Sequence, residues 1–312
     1  MDRYGKSKAW MWFAGALAAA FIAGCGKQGD DGKIFGNSNS SGAGGPGPAG
    51  AAPALGAAGA FGALGSAGGA GMTNQGIFTV ITGAGGQPVS IGTTGASTTM
   101  TGFHDNTVPY VPPSGCIYTE TPLNIGAVNG TIDTAPPPPT VTCPAEGTAA
   151  TFAAAQAAAA AALAAFNDLA GRPGAIDPGA NLGGLTLAPG VYKTASGAFL
   201  LTGSDLTLDA KGNANAVWVF QMASSLTVGA VGAPRSVILA GGAQPKNVFW
   251  QVGSAATINP SAGGTMVGSI IASAGVSFST AGEPCCNTLN GRAASLNASV
   301  TMVNTHINVP AP

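Results

Sequence analysis

One short unit repeats through the second half of this 312-residue chain, and it limits the available folds more than any other feature. An apolar residue, a Thr or Ser, and another apolar residue recur between Leu185 and Val309. The copies are Leu185-Thr186-Leu187, Leu206-Thr207-Leu208, Leu226-Thr227-Val228, Ala256-Thr257-Ile258, Val276-Ser277-Phe278 and Val300-Thr301-Met302. Neighbouring side chains on a strand point to opposite faces, so each unit sends two apolar groups inward and one hydroxyl outward. Units at loosely regular spacing predict strand-bearing coils stacked on one another. If the coils stack in register, Thr186, Thr207, Thr227, Thr257, Ser277 and Thr301 form an outward row. These six residues are the candidate site.

The repeat extends beyond the tripeptides. Residues 220–228 align with 250–258 without gaps at an offset of 30, and Val276-Ser277-Phe278 returns as Val300-Thr301-Met302 at an offset of 24. Unequal offsets predict coils of unequal length. Gly183-Gly184, Pro189-Gly190, Gly203 and Lys211-Gly212-Asn213 supply the turns. Phe78-Thr79-Val80 and Val89-Ser90-Ile91 carry the same unit earlier in the chain.

The N-terminus reads as an export signal. Arg3, Lys6 and Lys8 precede an uncharged apolar run from Ala9 to Ala23, which ends in Ile22-Ala23-Gly24-Cys25. The run is short for a membrane span and suits a signal peptide. Its end resembles the bacterial lipobox, which implies cleavage after residue 24 and a lipid on Cys25. Gly26, with no Asp at that place, favours the outer membrane and the cell surface. Residues 25–75 are expected to be the lipidated cysteine and a flexible tether, because Ser38 to Gly71 is almost entirely Gly, Ala, Ser and Pro. The folded domain is expected over 76–312.

Within that domain, residues 103–148 are rich in proline and hold Cys116 and Cys143, and they read as a decorating loop region. Residues 149–170 read as a helix. Ala dominates it, Thr148 and Thr151 are candidate N-caps, and Gly171 and Pro173 stop it. Phe152, Leu163, Phe166 and Leu169 are its expected buried face.

Residues 171–193, 208–221 and 247–253, with Val267-Gly268-Ser269-Ile270 and Asn290-Gly291-Arg292-Ala293, resemble the ice-binding (antifreeze) family of cold-adapted bacteria, fungi, algae and yeasts. The resemblance covers about residues 76–309 and is weakest over 103–148. It implies a chain dominated by β structure: an irregular, discontinuous parallel β-solenoid of triangular section with one long α-helix packed alongside. It also implies adsorption to ice through a flat solenoid face, with ice or ordered water as the partner. The six hydroxyl residues are nominated from the repeat, because the resemblance transfers no invariant residue.

Other functions compete with this one. Exposed Thr is common in strands for packing reasons alone. Only 7% of residues are charged, with Lys+Arg 11 against Asp+Glu 12, so there is no basic patch for nucleic acid and no acidic tail, and an electrostatic partner is not expected. Catalysis is not expected either. There are two histidines, His104 and His306, and Asp168, Asp177, Asp205 and Asp209 are scattered beside turns or the helix end. A lipid-anchored adhesin without ice activity is the alternative, and a monomer without cofactors is expected. With Cys25 set aside, Cys116, Cys143, Cys285 and Cys286 permit three full pairings, including a Cys285–Cys286 bridge. Cross-bridges tying residues 103–148 to the solenoid are favoured. No metal site is expected, since no Cys-x-x-Cys occurs and no His lies near the cysteines in sequence.

Overall fold

The computed structural model describes residues 49–65, 71–106, 115–259, 263–278 and 285–311. The chain forms an irregular parallel β-solenoid with one long helix against it. From Thr186 to Asn259 each coil carries three strands, one for each of three faces. The short face holds Thr186–Leu187, Leu206–Asp209 and Val237–Ala240. The large face begins with Gly190–Lys193, Trp218–Met222 and Val248–Val252 and continues through Thr265–Ala272, Asn287–Ser295, Thr305–Val309 and Thr79–Gly83. The third face has seven strands in the order Phe199–Leu201, Leu226–Gly229, Ala256–Asn259, Val276–Phe278, Val300–Met302, Met72–Asn74 and Met100–Thr101.

Among the described residues past Asn259, strands are added to the large and seven-strand faces only. That loss shortens the coils and accounts for the unequal offsets. The gapless 30-residue repeat is the register itself: Phe220 pairs with Trp250, and Leu226 with Ala256. The solenoid is discontinuous because N-terminal strands stack beyond C-terminal ones. Met72–Asn74 pairs with Val300–Met302, and Thr79–Gly83 pairs with Thr305–Val309.

The start of the domain therefore lies earlier than Gly76. Residues 56–64 form a 3-10 turn and a strand, and Met72–Asn74 is a further strand. Phe61 and Leu64 explain the difference. Both are buried against the helix, so this Gly/Ala-rich segment contributes enough apolar surface to be held. Cys25, the cysteine expected to carry a lipid, lies outside the described residues. Residues 103–148 also do more than decorate. Phe103–Asp105, Gly126–Val128 and Ile132–Ala135 extend the large sheet, and Tyr118 and Ile132 enter the core.

The helix runs from Ala149 to Ala170, as expected. Thr148 caps it: its Oγ1 accepts from the Thr151 amide at 3.3 Å, while Thr151 Oγ1 accepts from the Thr148 amide at 2.9 Å. At the other end Gln221, reaching out of the large sheet, donates to the carbonyls of Leu169 and Arg172, each at 2.8 Å. These bonds satisfy carbonyls that a helix end otherwise leaves unpaired. The buried face matches expectation at Leu169, with Phe166 packed partly buried against the same cluster, and differs elsewhere. Ala155, Ala158, Ala159, Ala162, Ala165 and Leu169 pack inward, while Leu163 is exposed. The sheet supplies the bulk instead, through Val191, Val219, Phe249 and Ile271, and the alanines let the helix axis come close. Replacing Thr148 with Ala is expected to lower the unfolding free energy by about 1 kcal/mol, read as a shifted urea midpoint at constant slope.

Candidate functional site

The seven-strand face carries the only long hydroxyl row among the described residues. In register its outward positions are Leu200, Thr227, Thr257, Ser277, Thr301, Thr73 and Thr101. The flanking residues point into the core, as with Leu226 and Val228 around Thr227. Every hydroxyl-bearing member of the row is part-exposed. Two residues upstream on each strand lies a second outward column: Ala198, Ser225, Ala255, Gly275, Ser299, Gly71 and Thr99, also part-exposed. Both columns consist of uncharged residues, small apart from Leu200 at one end. Six steps between strands give a row about 29 Å long.

The structure keeps Thr227, Thr257, Ser277 and Thr301 of the six nominated residues together and separates the other two. Thr186 and Thr207 lie on the short face, where they align with Ile238. The reason is that a tripeptide sets inward and outward but not which face. Thr207 and Thr227 belong to one coil, and the strand Trp218–Met222 lies between them. The residues missed are Thr73 and Thr101. Met72-Thr73-Asn74 and Met100-Thr101 show the same alternation, but they sit at the ends of a Gly/Ala-rich stretch and a proline-rich one, whose compositions mask it.

Thr79 reverses the expected phase. It is buried, and Phe78 and Val80 face outward instead. The cause is the corner residue Asn74. Its Oδ1 accepts from Thr79 Oγ1 at 2.8 Å and from the Gly76 amide at 3.0 Å, while its Nδ2 donates to Gly76 and Gly102 carbonyls. Thr79 Oγ1 accepts in turn from the Thr305 amide at 3.2 Å. This buried network fixes the bend between the seven-strand and large faces.

Of the scattered acids, Asp168 pairs with Arg172 four residues on, and the other three serve the backbone. Asp177 accepts from the Gly179 and Ala195 amides, Asp205 from the Ser236 amide, and Asp209 from the Lys211 amide. His104 Nδ1 lies 2.7 Å from Glu120 Oε1, and that hydrogen bond holds its pKa above the ordinary value. Burial pushes the Asp133 carboxyl up to about 6, against a weaker opposing bond from Thr131. For an acid raised this way, the folding cost is present above the folded pKa. It disappears as pH falls toward the unfolded value near 4. Asp133→Asn is therefore expected to stabilise the protein by on the order of 1–3 kcal/mol at pH 7.5 and to lose most of that gain at pH 4, in paired urea titrations.

The disulfides differ from the favoured cross-bridges. Cys116 bonds Cys143, with Cα atoms 5.7 Å apart, and Cys285 bonds Cys286. Cys116 and Cys143 are both buried in the solenoid core, whereas Cys285 is exposed and Cys286, part-exposed, lies beside the Phe78 carbonyl.

A family model described as ice-binding-like matches residues 66–308, well over half of the chain. The chain belongs to the ice-binding-like family. Within that family it is similar to an ice-binding protein of Nostoc sp. (strain HG1), 42% identical over 139 residues that cover 44% of this chain and 47% of that one. An ice-binding protein of Flavobacterium frigoris (strain PS1) is 34% identical over 149 residues, covering 47% and 49%. The chain spans about half the length of these curated relatives. Among solved structures, the DUF3494 domain of Shewanella frigidimarina ice-binding protein_1 superposes with a TM-score of 0.63 at 25% identity, over 82% of this chain and 97% of that one. The ice-binding protein of the Antarctic ascomycete Antarctomyces psychrotrophicus gives 0.59 at 30% identity, over 84% and 100%.

Proposed function

We propose that this protein adsorbs to ice through the seven-strand face and so restrains ice growth or recrystallisation. The carrying observation is the in-register row Thr227, Thr257, Ser277, Thr301, Thr73 and Thr101. Threonine presents a hydroxyl and a methyl on a stiff β-branched frame, so water meets groups already held in place. Strand spacing repeats that pair of groups every 4.7–4.9 Å or so, which suits a lattice rather than a single small ligand. Little side-chain entropy is lost on contact, and no charge imposes its own water orientation. The ice-binding names of the relatives support the same reading.

Export, a lipid on Cys25 and a cell-surface position complete the proposal. They rest on residues 1–25 and would place a monomeric solenoid on the outside of a cell. The test uses the whole chain, fluorescently labelled, during slow growth of a polycrystalline ice shell. Incorporation into the shell is the expected result. Exclusion of well-folded protein into the liquid contradicts the proposal.

A further inference from the structure

The fold brings His306 to the adjacent pair Cys285 and Cys286, side chains of the kinds that ligate metals. Thr288 pairs with His306 across the large sheet, which sets the imidazole beside the chain entering at Cys285 and Cys286. The ligand atoms of Cys285, Cys286 and His306 all lie within 4.8 Å of one another. Cys285 is exposed, and Cys286 and His306 are part-exposed. Among the described residues, neither ring nitrogen of His306 has a hydrogen-bond partner.

We infer that Cys285, Cys286 and His306 form a redox-gated site for a thiophilic divalent cation such as zinc. With the disulfide closed, the sulfurs have no thiolate to offer. A dithiol opens it: two electrons pass from the dithiol to the Cys285–Cys286 bond, the dithiol becomes a disulfide, and two cysteine thiols result. The cation then displaces the two thiol protons and gains two sulfurs and one imidazole nitrogen. Ligand atoms around a tetrahedral zinc stand about 3.5–3.8 Å apart, so a small side-chain adjustment assembles the set. The exposed side keeps a fourth position for water. Access gives selectivity within the molecule. Cys116 and Cys143 are 4% and 5% exposed, so a mild dithiol opens the surface pair first.

The test uses the full chain, reduced with a dithiol, desalted without air and titrated with zinc(II) against a chromogenic chelator. Cadmium(II) serves as a second probe through its thiolate charge-transfer absorbance. One equivalent of each metal is expected to bind the reduced chain and none the oxidised chain. The Cys285→Ser/Cys286→Ser chain, which keeps its other cysteines, is expected to bind none after the same treatment. His306→Gln is expected to weaken binding more than about tenfold, since even groups outside a ligand set are worth roughly 10–100-fold. Failure of the reduced chain to bind overturns the inference. So does undiminished binding by the double serine chain or by His306→Gln.

Discussion

Trp250→Ala is expected to lower the unfolding free energy by about 3–5 kcal/mol. Trp250 is fully buried and stacks on Phe220 in the next coil, with ring centroids 4.0 Å apart and planes 8° from parallel. Phe220 stacks in turn on Tyr192 at 5.4 Å. Three successive coils thus share one aromatic column inside the solenoid. The Trp250 Nε1 also donates to the Val267 carbonyl at 2.8 Å. Truncation leaves a void and an unpaired buried acceptor. The coils on either side cannot close the void freely, because backbone ladders on the large and seven-strand faces hold their spacing. Trp250→Phe keeps a ring in the column and is expected to cost well under half as much. Urea denaturation followed by far-UV circular dichroism measures both. Equal losses would mean that the hydrogen bond, rather than the stacked volume, dominates.

Thr257→Tyr is expected to remove most thermal hysteresis while leaving the urea midpoint nearly unchanged. Thr257 sits inside the row, between Thr227 and Ser277, and its side chain points away from the core. A tyrosine there makes no core contact, which is why stability is spared. It stands above the plane of its neighbours and holds a flat lattice away from both columns. The effect should be larger than that of Thr→Ser at the same place, which deletes one methyl and keeps the hydroxyl. Thr73→Tyr is expected to act in the same direction, since Thr73 extends the row beyond Thr301.

Much of this arrangement was legible in the sequence because strand alternation is a local property. Leu226-Thr227-Val228 and its relatives fix which side chains enter the core, and the 30-residue offset between Phe220 and Trp250 is the coil length. The helix limits were equally legible, since Thr148, the alanine run and Gly171 act within a few residues of each other. Facial assignment was not. Leu206-Thr207-Leu208 and Leu226-Thr227-Val228 are locally equivalent, and only the strand Trp218–Met222 between them places them on different sides. Long-range contacts hid the rest. Thr79 points inward because Asn74 receives its hydroxyl. Residues 56–64 fold because the helix and the sheet cover Phe61 and Leu64, which composition averaged over a Gly/Ala-rich segment conceals. His306 and Cys285–Cys286 meet only through strand pairing.

Ice is expected to meet the seven-strand face and not the short one. A tyrosine at Thr257 and a tyrosine at Thr207 test it directly, because the two side chains belong to the same repeat but to different faces. Each variant, labelled alike and confirmed as folded, is allowed to adsorb to a growing single ice crystal beside the parent protein. The Thr257→Tyr protein is expected to fail to coat the crystal, and the Thr207→Tyr protein to coat it as the parent does. Full coating by the Thr257→Tyr protein, with coating lost in the Thr207→Tyr protein, would contradict this expectation.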